Sequence, residues 1–183
     1  MTASSSPLLP ALLLLLIVFV DGGSGAEAKT ALDQLCGSLG SYYVTPDLCA
    51  SALCADPSAP CRAARDAPAV AALAARLAAD NATAAKGSIE AALSLAGSAG
   101  GAASAMRSCL QLYAGAVPAL RWAARSVAAG RYRGAREVLQ AAQYVAAGCE
   151  GMAGDAAALP RENGRFSDMA FVAHAVVASM SRD

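Results

Sequence analysis

Residues 109–149 read CLQLYAGAVPALRWAARSVAAGRYRGAREVLQAAQYVAAGC. Cys109 lies 21 residues before Gly130 and Cys149 lies 19 after it. With Met106 just ahead, the first arm places apolar residues at Met106, Cys109, Tyr113, Val117, Leu120, Ala124 and Val127. The steps are 3, 4, 4, 3, 4 and 3. The second arm does the same with Ala135, Val138, Ala142, Val145 and Cys149. This spacing predicts two helices, each burying one face, with Gly130 supplying the left-handed turn between them. Twenty residues of helix rise about 30 Å. Antiparallel arms of matched length therefore bring Cys109 and Cys149 together at the open end, where a disulfide would staple the hairpin. Pro118, inside the first arm, is expected to bend it locally.

The flanking sequence extends the pattern. Alanine, the best intrinsic helix former, makes up about a quarter of the chain, and no stretch alternates over strand length. Asp66 is a suitable N-cap with Pro68 in the first turn. Val70, Leu73 and Leu77, then Ile89, Leu93 and Ala96, mark a helix that Gly97, Gly100 and Gly101 would end. Residues 151–166 read as a loop containing Gly151, Gly154, Pro160, Asn163 and Gly164. Ser167 or Asp168 would then cap a last helix with Met169, Val172, Val176 and Met180 on one face. The expected fold is all-α: an up-and-down four-helix bundle. In front of it lies a cysteine-rich helical arm, residues 30–64, too small to fold alone.

Met1 to Val20 carries no charged side chain, and the apolar run Leu12 to Val20 is too short to span a bilayer. Small and polar residues follow, then Ala26-Glu27-Ala28, an A-x-A cleavage pattern. Residues 1–28 read as a secretory signal peptide and residues 29–183 as one domain. The n-region has no Lys or Arg, which keeps a signal anchor as the alternative. Cleavage after Ala28 leaves fourteen basic and twelve acidic residues, a net charge of +2. That balance gives no case for nucleic acid or a polybasic membrane patch. The mature form is expected to have no membrane segment. Six cysteines behind a signal peptide point to disulfides in an oxidising compartment, with fifteen complete pairings open.

Catalytic groups are sparse. His174 is the only histidine, and Asp168 lies six residues before it on the same helix, so the two do not face each other. It reads as a satisfied or solvent-facing side chain. No carboxylate pair has the spacing glycosidases use. Cys49, Cys54 and Cys61 are close enough to raise zinc, but secretion and the lack of a nearby histidine favour disulfides. Cys54 and Cys61 enclose Asp56-Pro57-Ser58-Ala59-Pro60, a turn-rich loop that a local bridge could close. No cofactor or metal is expected. Arg121, Arg125, Arg131, Arg133 and Arg136 gather at the hairpin tip with Glu137 the one nearby acid. This is either a contact surface for an acidic partner or a solvated helix end. Asn81-Ala82-Thr83 is an N-glycosylation sequon inside a helix. A stapled bundle without catalytic equipment binds rather than reacts.

Tyr43, Pro46, Asp47, Leu48, Cys49 and Leu53 form one recognisable group, and Cys109-Leu110-Gln111-Leu112-Tyr113 a second. Arg131-Tyr132 with Ala135, and Ala141-Ala142 before Cys149-Glu150, complete the series. In this order, and with cysteines forty apart, the chain resembles the plant invertase/pectin methylesterase inhibitor family across residues 30–181. The resemblance implies a four-helix bundle with an N-terminal helical hairpin and disulfides Cys36–Cys49 and Cys109–Cys149. It also implies a secreted, apoplastic protein of the cell wall that is not an enzyme. Such a protein blocks a target enzyme's cleft by one-to-one docking.

The target implied is a pectin methylesterase or an acid invertase. Invertase inhibitors of the family typically carry Pro-Lys-Phe where this chain has Gly130-Arg131-Tyr132, which tilts the expectation toward pectin methylesterase. Expected contacts are Gln111, Glu150, Arg131 and Tyr132, on the exposed faces of helices 109–128 and 131–148. The chain departs from the family pattern in several places. Gln111, Gly115 and Pro118 stand where acidic residues are often found. Gly148 replaces a common Thr, and Cys54 and Cys61 are additional.

Overall fold

Six α-helices and three short 3-10 turns run through the described residues of the computed structural model, which are 29–55, 61–96 and 100–181. The expected signal peptide lies outside them, as does the loop 56–60. The helices are α1 (Ala31–Ser38), α2 (Pro46–Leu53), α3 (Ala67–Ala96), α4 (Gly101–Ala128), α5 (Tyr132–Ala153) and α6 (Arg161–Met180). Each of the four long helices packs on the next, and α6 closes the ring against α3. The fold is all-α.

The arm is built from locally capped pieces. Thr30 and Asp33 form a reciprocal capping box at the start of α1. Thr45 caps α2, accepting the Leu48 N–H at 3.2 Å, with Pro46 in the first turn. Cys36–Cys49 ties α1 to α2, and Cys54–Cys61 closes the segment that leads toward α3. An Arg62–Asp33 ion pair at 3.4 Å joins that segment back to α1. The Thr30 hydroxyl and N–H, with Arg62, hold the Asp33 carboxyl below its ordinary range. Leu32, Leu39, Val44 and Leu53 are buried, so the arm contributes to the common core rather than lying on it as a strap.

Helix α3 starts as its capping residue dictates: Asp66 Oδ1 accepts the Ala69 N–H at 2.8 Å. Its first half, Val70 to Ala79, is buried on most of its circumference, leaving only Arg76 exposed. Alanine permits this, because small side chains let α1, α4 and α6 approach from three sides. Helix α4 runs unbroken through Pro118, whose ring faces outward. At its end, the Gly130 N–H donates to Val127 O and the Arg131 N–H to Ser126 O, both at 2.9 Å. With Gly130 at φ 73°, this is a Schellman stop, the turn a glycine was expected to make.

Two expectations are corrected. Helix α5 continues to Ala153, and α6 begins at Arg161, not at Ser167 or Asp168. Pro160, at φ −58° and ψ 146°, sets the start of α6. Its first turns are polar, but Asn163 and Phe166 already face the core. The second correction concerns the staple. The Cys109–Cys149 bond is absent from the structure, where both residues are fully buried thiols. They nevertheless face each other across the α4–α5 interface, close enough for each to shift the other's titration. Burial raises both thiols above their usual range, which disfavours the thiolate that disulfide exchange requires.

Candidate functional site

The α4–α5 hairpin carries most of the exposed large hydrophobic side chains among the described residues. Six large hydrophobic side chains are exposed among the described residues, and four of them belong to this hairpin: Leu112, Trp122, Tyr144 and Met152. Two lie across the seam between the helices, each seated on a glycine of α5. A Cβ on Gly148 would meet Leu112 Cδ1 at 3.2 Å, and one on Gly134 would meet Trp122 Cη2 at 3.0 Å. Neither glycine needs an unusual backbone. Each is there because a side chain from α4 occupies the space its own Cβ would take. Gly148 thus has a physical account in this chain: it makes room for Leu112.

Behind this face, at the open end of the hairpin, a polar network fixes both helices to α6. The Tyr113 hydroxyl donates to Asn163 Oδ1 at 2.8 Å, with both residues buried. Asn163 Nδ2 donates to Ala146 O at 3.4 Å and to Glu150 Oε1 at 3.2 Å. The Tyr113 ring meets Phe166 edge-on with centroids 5.3 Å apart, a geometry worth about 0.5–1.5 kcal/mol beyond burial. Burial first, then the neighbouring Cys149, Cys109 and Glu150, keeps the Tyr113 hydroxyl protonated as a donor. Asn163 is the residue the sequence reading placed in a loop. The missing signal was its register, three residues before Phe166 on the buried face of α6.

The four expected contact residues do not form one cluster. The Leu112–Gly148 contact sets Gln111 and Glu150 at the same level, at the open end. Gln111 is exposed, and Glu150 is partly engaged by Asn163. Arg131 and Tyr132 sit at the tip, roughly 28 Å along α5 from Glu150. Arg131 is exposed, while Tyr132 is half-buried against the core. Arg136 pairs with Glu137 at 3.0 Å, and Arg121 donates to the Thr83 hydroxyl at 3.4 Å.

Elsewhere, a cleft of about 550 Å³ between α2, α3 and α6 is lined by Leu48, Arg76, Asp80, Asn81, Arg165 and Asp168. Asn81 is half-buried there, its amide donating to Leu77 O at 2.9 Å. Cys49, Cys54 and Cys61, considered above as zinc ligands, have their sulfurs in disulfides. Half-buried His174 titrates below its usual 6.5, through burial first and then the Arg136 charge, with Glu137 opposing.

The family model described as plant invertase/pectin methylesterase inhibitor matches residues 30–176, from the first capping residue into the last turns of α6. The chain belongs to this family. No curated protein and no solved structure matches the chain. In this inhibitor-family member the matched span takes in the arm, the Tyr113–Asn163–Glu150 network and the whole exposed hairpin. Family membership makes it one of the inhibitors of pectin methylesterase or invertase. No helix among the described residues is long and apolar enough to cross a membrane.

Proposed function

We propose that this protein is a secreted, apoplastic inhibitor of pectin methylesterase that docks one-to-one over the enzyme's active-site cleft. The docking surface is the outer face of α4 and α5. The observation that carries this reading is the gathering of exposed Leu112, Trp122, Tyr144 and Met152 on that one hairpin. Well-seated aromatic and aliphatic anchors are the side chains that dominate protein interfaces. The hairpin is held by a buried network to α6 and by Schellman geometry at its tip. A surface fixed in this way loses little ordering entropy on docking. The choice of pectin methylesterase follows from Gly130-Arg131-Tyr132 at the tip, where invertase inhibitors carry Pro-Lys-Phe.

An acid invertase is the second target the family description supports. Titrating the mature protein against both enzymes at mildly acidic pH decides between them. Stoichiometric loss of esterase activity alone is the expected result. Loss of invertase activity alone would transfer the function to that enzyme. Silence toward both would leave an apoplastic binding bundle with no enzyme target.

A further inference from the structure

Between Glu90 and Glu137 the chain contains six arginines and no acidic residue. The fold concentrates four of these arginines at the α4–α5 tip, around the single tryptophan of the sequence. Trp122 rests its ring edge over Gly134 and stays 46 % exposed. Arg121 adjoins it in sequence, reaching toward Thr83 of α3, and Arg125 lies one turn on. Arg133 adjoins the Gly134 seat on α5, and Arg131 occupies the turn. All four arginines are exposed, and Arg125, Arg131 and Arg133 meet no carboxylate among the described residues. Arg136 is neutralised by Glu137.

We propose that this tip, at the turn end of the docking hairpin, binds a linear acidic polysaccharide, a polyuronate. Guanidinium groups pair with carboxylates in a planar, two-pronged geometry. The apolar indole beside them offers a flat surface to the C–H face of a sugar ring. The four guanidinium groups are exposed and spread over the ends of two helices and the turn between them, which suits a repeating polymer rather than a small anion. The choice of polymer rests on the proposed function, since a pectin methylesterase is the enzyme that converts uronate methyl esters to carboxylates. The site itself does not depend on which enzyme is inhibited.

Because Trp122 is the only tryptophan, its emission reports on the tip alone. Titration of the mature protein at low salt uses polygalacturonate, highly methyl-esterified pectin and polyglutamate. Polygalacturonate should shift the emission and bind roughly tenfold or more tightly than either other polymer, with the affinity falling as salt rises, as for any polyanion. No shift, or an equal response to the esterified polymer, overturns the proposal. An equal response to polyglutamate also does so, by making the tip a general polyanion surface.

The paired substitution Arg125→Glu with Arg133→Glu should weaken polygalacturonate binding by about tenfold or more. Unchanged binding sinks the site. Should that variant melt early, Arg125→Gln with Arg133→Gln answers the same question with a milder, same-direction loss. Gel filtration with pectin methylesterase, without polymer, reads the docking function separately. Polymer binding without an enzyme complex keeps this site and removes the proposed function. A complex without polymer binding does the reverse.

Discussion

Cys109 and Cys149 face each other across the α4–α5 interface as free thiols, and both residues are sealed from solvent. Since burial disfavours both thiolates, oxidation should succeed before the bundle closes and fail after it. Protein folded under oxidising conditions should yield residues 109 and 149 linked in a non-reducing peptide map. Protein folded reduced should resist both alkylation and disulfide formation until denaturant is added. Closing this loop should stabilise by about 4 kcal/mol on the chain-entropy estimate. Thermal melts of the two forms against Cys109→Ala with Cys149→Ala check the size; equal melting temperatures would show that the bond contributes nothing.

What was legible in the sequence depended on contrast between apolar and polar positions. Helices α4 and α5 carry strong contrast, and Gly130 sits where only a left-handed residue ends the first arm, so the hairpin could be read with its turn. The start of α6 could not be read. Arg161 to Arg165 is polar throughout, and Asn163 counts as interior only once Tyr113 and Glu150 are known to satisfy it. The glycine seats were invisible for another reason. A helical glycine in a sequence names no neighbour, so Leu112 over Gly148 and Trp122 over Gly134 emerge only from the fold. Contacts inferred by resemblance suffer the same limit: Gln111 with Glu150, and Arg131 with Tyr132, lie at opposite ends of one hairpin.

The Tyr113–Asn163 hydrogen bond should be costly to break from one side. Tyr113→Phe removes the donor and leaves Asn163 Oδ1 buried without a partner, a loss of about 1–3 kcal/mol. The edge-to-face contact with Phe166 survives that change, so the loss reads the hydroxyl alone. Denaturant unfolding at unchanged m-value measures it. A Tyr113→Phe protein as stable as the parent would show that Asn163 re-pairs elsewhere.

Ser126 is the opposite case. Its hydroxyl is buried with no hydrogen-bond partner, inside the last turn of α4. Ser126→Ala removes the unmet group and introduces the better helix former, so it should stabilise by roughly 1 kcal/mol. The Schellman turn that follows uses the Ser126 carbonyl, not its hydroxyl, and is untouched. A raised melting temperature is the expected readout; a lowered one would mean that the hydroxyl is satisfied in solution.

His174 gives the fold an acid-side sensitivity. Its folded value lies below 6.5, so between that value and about 6.5 the unfolded chain binds more protons than the folded one. Stability contributed by keeping His174 neutral is complete above that window and declines as pH falls through it. Arg136 deepens the effect and Glu137 offsets it. His174→Gln should flatten the melting temperature between neutral and mildly acid pH. An undiminished slope in that variant would assign the pH dependence to carboxylates instead.

The docking face can be tested without disturbing the core, because its large side chains are exposed. Tyr144 is 72 % exposed, so Tyr144→Ala should melt within a degree or two of the parent. If α4 and α5 form the inhibitory surface, it should still weaken inhibition by about tenfold or more, as loss of an interfacial aromatic does. Gly148→Thr probes the same face differently. Its larger side chain must displace Leu112 from its seat, lifting that residue away from the seam. Inhibition should fall in both variants, with titration against the target enzyme as the measure. A protein that inhibits normally with Tyr144 truncated and Leu112 displaced would use another surface, and the arm beside the α2–α3–α6 cleft would be the next to examine.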